Sequence, residues 1–236
     1  MSSSPSQDRL AAAVARAMEE LSKMRGKRIF HPFGVGFSAS LTPLGAAELT
    51  GSALASLSEP LVRLSRSLGL PEWLPDPCGL ALRIPDAYGP GRHQDVLMVS
   101  SATAPGARHA PLPSWGFLDR PYSTLLPYRS QGRLVLLGAR GLERDGGGPS
   151  LAELRRRDFA GLDFELTVAT LRGDWKPAGR LLVRERLPAE AVERLDFDPT
   201  NTGGGLELAG FVNRLRGPSY RASQAGRARS STRSHR

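Results

Sequence analysis

Few side chains in this sequence combine a reactive type with a telling spacing. The four histidines, His31, His93, His109 and His235, form no HxH or HExxH unit, so no local pattern marks a zinc or other divalent-metal centre. A metal-dependent hydrolase would have to gather histidines and carboxylates from distant positions. No G-x-S-x-G element marks a serine hydrolase, and no glycine-rich phosphate loop of either common type is present. Cys78 is the single cysteine, which excludes an intramolecular disulfide framework and a multi-cysteine zinc site. One free thiol fits a reducing compartment, and the expected location is the cytoplasm.

The elements that must position any site are short. Residues 1–7 read as a disordered lead. Asp8 then caps a helix to about Met24, with Leu10, Val14, Met18 and Leu21 at helical spacing. Val35, Phe37, Ala39 and Leu41 alternate with Gly36, Ser38, Ser40 and Thr42, the period of a strand with one buried face. Residues 46–68 read as a helical stretch interrupted at Pro60. Strands are expected at 79–84, 95–100, 133–137, 164–171 and 180–185, with a Pro-rich loop over 102–127 and a turn over 173–179. Ser150 caps a short helix through Arg157. The expected class is therefore α+β, an antiparallel sheet or barrel with helices towards the chain ends.

Composition bounds the function classes. The 236 residues suit one domain, taken as 8–227, followed by a basic disordered tail, 228–236. Met1 to Arg9 lacks the apolar run of a signal peptide, and no stretch is long and apolar enough for a membrane span. The net charge is +9, and five of those charges are Arg221, Arg227, Arg229, Arg233 and Arg236, in a terminal stretch without acidic residues. Such a tail can attract nucleic acid or an anionic surface through counterion release, although a solvated terminus is the expected state.

Read in order, several segments carry a resemblance. Arg28-Ile29-Phe30-His31-Pro32-Phe33-Gly34-Val35-Gly36 resembles the segment of haem catalases that carries the distal histidine. Arg63-Leu64-Ser65 resembles their Arg-Phe-Ser, and residues 75–83 resemble their Asp-Pro-Arg-Gly-Phe-Ala strand. Residues 177–183 resemble the Pro-Val-Gly-Lys-Leu-Val-Leu strand, and Phe197-Asp198-Pro199-Thr200-Asn201 the Phe-x-Pro-x-Asn that follows. Arg216-Gly217-Pro218-Ser219-Tyr220-Arg221-Ala222-Ser223-Gln224 keeps the Arg-x-x-Ser-Tyr-x-x-Ser-Gln frame of the proximal signature. The collinear order is the strong part of the match. At this length the chain is most similar to the minimal catalase-related haem peroxidases.

The resemblance implies a catalase-type antiparallel β-barrel with flanking N- and C-terminal helices, and haem b as cofactor. Tyr220 would be the proximal ligand of the haem iron. A phenol binds iron well only when ionised, and Arg216, one helical turn earlier, would favour the phenolate. His31 would move the peroxide proton, with Ser65 orienting its imidazole. Arg28, Arg63 and Arg227 would pair with the haem propionates. The implied activity is weak catalase or peroxidase chemistry on hydrogen peroxide or an organic hydroperoxide, with an unidentified reductant, in a possible homodimer. The alternative is a catalase-fold protein without haem, binding a flat or apolar small ligand or serving a structural role.

The sequence departs from the family pattern in three places. Val99 stands where catalases carry a distal asparagine, with Ser100 the nearest polar substitute; Cys78 stands in place of an arginine; and Gly217-Pro218 interrupts the proximal signature, where proline suits only the first turn of a helix.

Overall fold

The computed structural model describes residues 33–142, 148–156, 159 and 161–209, all within the unit His31–Ala209. Eight antiparallel strands close into a barrel. In chain order these are β1 (Phe33–Pro43), β2 (Leu61–Arg66), β3 (Asp76–Ile84), β4 (Gln94–Ser100), β6 (Tyr122–Ser123), β8 (Arg133–Gly141), β9 (Leu162–Thr170) and β10 (Lys176–Arg186). Each pairs with the next member of that series, and β10 returns to β1. The meander closes on itself, although two-residue β6 covers only Val99–Ser100 of β4 and Gly138–Ala139 of β8, so the Asp95 N–H donates to the Asn201 carbonyl and the start of β8 pairs with β7. Three short strands lie off it. β5 (Pro113–Ser114) pairs with Asp76 and Pro77, β7 (Tyr128–Ser130) pairs with the start of β8, and β11 (Leu206–Leu208) pairs with β7.

Period-two alternation explains why these segments are strands. Val35, Phe37, Ala39 and Leu41 of β1 share the interior with Val62 and Leu64, Leu80 and Leu82, Val96 and Met98, Val135 and Leu137, Phe164 and Leu166, and Leu181 and Val183. Withdrawing each large apolar side chain from water contributes about 1.5–3 kcal/mol. Aromatic packing reaches both ways from this core, with Phe37 and Phe159 ring centroids 5.5 Å apart and Tyr122 edge-on to Phe164 at 6.0 Å.

Residues 46–68 are not the helix that their sequence suggests. Only one 3-10 turn, Ala47–Thr50, forms there, and it ends at Gly51, whose φ of 83° suits glycine. Pro60 lacks the N–H a helix would need, and beyond it Val62 and Leu64 alternate with Arg63 and Ser65 as β2, hydrogen-bonded on both sides by β1 and β3. The loop expected over 102–127 holds a 3-10 turn (Ala107–His109), β5 and β6. β6 is two residues long, too short to show a period, yet it joins β4 to β8 and completes the barrel.

Among the described residues helices are few. α1 (Leu151–Leu154) starts at Ser150 as expected, with a capping box in which the Ser150 hydroxyl accepts from the Glu153 N–H and the Glu153 carboxylate accepts from the Ser150 N–H. That bond also holds the Glu153 carboxyl below its usual range. α2 (Ala189–Arg194) packs on β1, where Val192 fills the space left by Gly36. The helix expected over 8–24, and any C-terminal helix beyond residue 209, lie outside the described residues.

Two buried polar side chains tie loops to the barrel. Asp76, fully buried, accepts from the Leu68 and Leu70 N–H groups at 2.8 and 3.0 Å and sits 3.6 Å from Arg66 Nε. Arg108, 2 % exposed, donates to the carbonyls of Thr103, Thr170 and Gly173 and lies 4.9 Å over the Trp175 ring. It pins the 103–108 segment across the turn between β9 and β10 through three carbonyls, with Asp174 of that turn as a nearby opposite charge.

Candidate functional site

Two of the residues singled out from sequence, Arg63 and Ser65, are described, and they lie on the outer face of the barrel. Register fixes this. Val35, Leu64, Leu80 and Met98 point inwards, so their neighbours Gly34, Ser65, Gly79 and Val99, which pair across β1–β4, point outwards in one row that Ser123 of β6 continues. Ser65 is 3 % exposed and Val99 is half-buried. The Arg63 side chain folds over Gly34, where an added Cβ would fall 2.9 Å from its Cζ and Nε atoms and from the Leu64 carbonyl oxygen. A glycine is needed there for close approach, not for backbone freedom.

His31, Arg28, Arg216, Tyr220 and Arg227 lie outside the described residues, as does the Gly217-Pro218 pair. In sequence His31 precedes the first residue of β1 by two positions.

The row offers little polarity opposite Ser65. Val99 brings no hydrogen-bonding group to it. Ser100 does not replace the missing asparagine, because alternation turns it away from that row and its hydroxyl is committed, donating to the Leu112 carbonyl at 2.6 Å and accepting from the Cys78 N–H at 2.9 Å. A cavity of about 10 Å³ among Leu82, Val96, Met98, Leu137 and Leu166 has space for one water.

Cys78, at the arginine position of the resembling strand, points into the core and is 1 % exposed. Desolvation pushes its thiol up from 9.0 to about 12. Only about one molecule in ten thousand then carries a thiolate at pH 8, so the native thiol should resist alkylation. Mass spectrometry after iodoacetamide treatment should find Cys78 labelled at the rate of unfolding in native buffer and completely in denaturant. Rapid native labelling would contradict its burial.

Sequence reasoning missed a buried polar cluster centred on Asp95. Arg83 of β3 and Asp95 of β4 face each other in register and form a two-pronged ion pair, with Nε and Nη2 donating to the two carboxylate oxygens at 2.7 and 2.6 Å. The Asp198 N–H and the Asn201 side-chain amide also donate to Asp95, at 2.8 and 3.0 Å, while Arg83 reaches the Asp196 carbonyl and lies 5.1 Å over the Phe197 ring. The segment Phe197–Asn201 is thus fastened to β3 and β4. A signal existed, namely opposite charges at mirrored positions in two apolar strands that flank the turn centred on Gly89.

Among the described residues, no group of three His, Cys, Asp or Glu side chains is arranged to hold a metal ion, and no helix is long and apolar enough to cross a membrane. No protein-family model matches the chain, and no curated protein matches it.

Proposed function

We propose that this protein is a catalase-related haem protein that reduces hydrogen peroxide or organic hydroperoxides. The observation that carries the reading is the adjacency of the resembling segments. The described parts of four of them, 33–36, 63–65, 76–83 and 177–183, fall on β1, β2, β3 and β10, which lie side by side in the order β3-β2-β1-β10, and the segment 197–201 is hydrogen-bonded to Asp95 of neighbouring β4.

Two of the residues that would meet the haem are among the described ones, and their types are compatible with carboxylate arms and a polar distal side. Arg63 carries a guanidinium of the kind that pairs with a propionate, and Ser65, two residues on along the same face, carries a hydroxyl. When bound, the haem would supply the redox chemistry that cleaves the peroxide O–O bond. Tyr220 would hold the iron as a phenolate, kept ionised by the Arg216 guanidinium, while Arg28 and Arg227 pair with propionates beside Arg63. His31 would take a proton from the peroxide and return it to the departing oxygen, its ring steadied by Ser65. Because Val99 adds no hydrogen bond on that side, peroxidase turnover should exceed catalase turnover.

A second reading, a barrel of the same type that serves as a binding or structural protein without haem, is favoured by one observation: neither Val99 nor Ser100 presents a free polar group to the outer row. Titrating the purified protein with haemin separates the two readings. A Soret band that saturates at one haemin per chain is the result expected for the first, and a protein that takes up none supports the second.

A further inference from the structure

The barrel wall has a seam between β4 and β8. Two-residue β6, which lies between them, reaches only Val99–Ser100 of one and Gly138–Ala139 of the other. Along the rest of β4, alternation turns the Asp95 and Leu97 N–H groups away from β3 and into the seam. The Asp95 N–H donates to the Asn201 carbonyl at 2.8 Å, whereas the Leu97 backbone meets no backbone partner there among the described residues. One segment, Asp196–Leu208, lies across the gap as a strap. Towards β4, the Asp198 N–H and the Asn201 amide donate to Asp95; at the other end β11 pairs with β7, which pairs with the start of β8. Between the two ends, the Tyr88 hydroxyl donates to the Gly203 carbonyl and the Ser52 N–H to the Gly204 carbonyl, both at 3.0 Å. The small interior cavity is lined from both sides of the same seam, by Val96 and Met98 of β4 and by Leu137 and Gly138 of β8.

We propose that the strap is a gate: Asp196–Leu208 leaves the wall as a unit while the barrel stays folded, and its departure admits small solutes to the interior beside Met98. The strap differs from the barrel strands in how it is held. Its one strand, β11, stands at the end of the strand order and pairs with β7 alone among the described strands. Segments with few ladder hydrogen bonds open at lower free energy than the whole domain. Gly204 and Gly205, at φ of 56° and 87°, provide a joint between the two anchored ends. The electrostatics also favour a clean separation. Arg83 and Asp95 both belong to barrel strands, so their ion pair stays behind when the strap departs and no buried charge loses its partner.

The test uses the full chain in urea concentrations below the unfolding transition. It follows hydrogen exchange of the 196–208 amides, oxidation of Met98 to the sulfoxide by tert-butyl hydroperoxide, and alkylation of Cys78 by iodoacetamide. Met98 is 5 % exposed at the rim of the seam, and Cys78 is buried in the core on β3, so the first reports gate opening and the second global unfolding. Strap exchange and Met98 oxidation should depend only weakly on urea, because the opening exposes little surface, while Cys78 labelling should rise steeply. The Asp95 N–H, whose acceptor lies on the strap, should exchange with the strap, while the Val96 and Met98 amides that face β3 stay protected. Tyr88→Phe with Asn201→Ala removes two hydrogen bonds to the strap and should quicken its exchange and Met98 oxidation about tenfold, with the weak urea dependence kept. Strap exchange as steeply urea-dependent as Cys78 labelling would overturn the proposal, since the strap would then leave only when the barrel unfolds. So would Met98 oxidation that follows Cys78 rather than the strap, because the opening would not reach the interior. The wild-type protein decides both points even if the double variant does not fold.

Discussion

Asp95→Ala is expected to destabilise the barrel by about 3–5 kcal/mol, the range for removing one partner of a buried ion pair. The carboxylate is fully buried, and it accepts four hydrogen bonds from Arg83, Asp198 and Asn201. Its loss would strand the Arg83 guanidinium, whose side chain is 11 % exposed, together with a backbone N–H. It would also release the segment 196–201 from β3 and β4, so the cost falls on two elements together. Urea denaturation followed by circular dichroism would measure the loss. Pairing Asp95→Leu with Arg83→Met should recover part of it, since the unpaired charge disappears. A single variant within about 0.5 kcal/mol of wild type, the usual range for surface sites, would show that the ion pair contributes little.

Tyr220→Phe should abolish the Soret band of the haemin-loaded protein. The substitution removes one oxygen and keeps the ring, so a packing role for Tyr220 would survive it and a ligand role would not. Arg216→Leu should act in the same direction and more weakly, because the phenol would remain but ionise less readily near pH 7. The melting temperature of the protein without haemin should hardly change in either variant. An unaltered spectrum in Tyr220→Phe would remove Tyr220 as the iron ligand and, with it, the proposed chemistry. A lost spectrum with an unchanged fold would instead leave the haem reading standing on its central residue.

How much of this was legible beforehand varied by element. β1 could be read from alternation, and β3, β4, β8, β9 and β10 from short apolar runs bounded by turn residues. β2 could not. Its six residues follow an apolar, alanine-containing run whose spacing also fits a helix, and only hydrogen bonds to β1 and β3 choose the strand. The cap at Ser150 was visible because a capping box is local in sequence. Arg108 was not, since its carbonyl partners include residues 62 and 65 positions away.

The sequence alone determined the apolar segments that become most of the strands, the absence of disulfides within the chain, the basic balance and the ordered resemblance that runs from Arg28 to Gln224. It could not determine which side of the barrel any candidate residue occupies. Strand register decided that, since a shift of one residue exchanges the faces. Register places Arg63, Ser65 and Val99 on the outer surface, sends Cys78 into the core and turns the Ser100 hydroxyl to Leu112 and Cys78. The interior carries the apolar side chains of the barrel strands, while Arg63 and Ser65, which the resemblance singles out on β2, belong to the outer face.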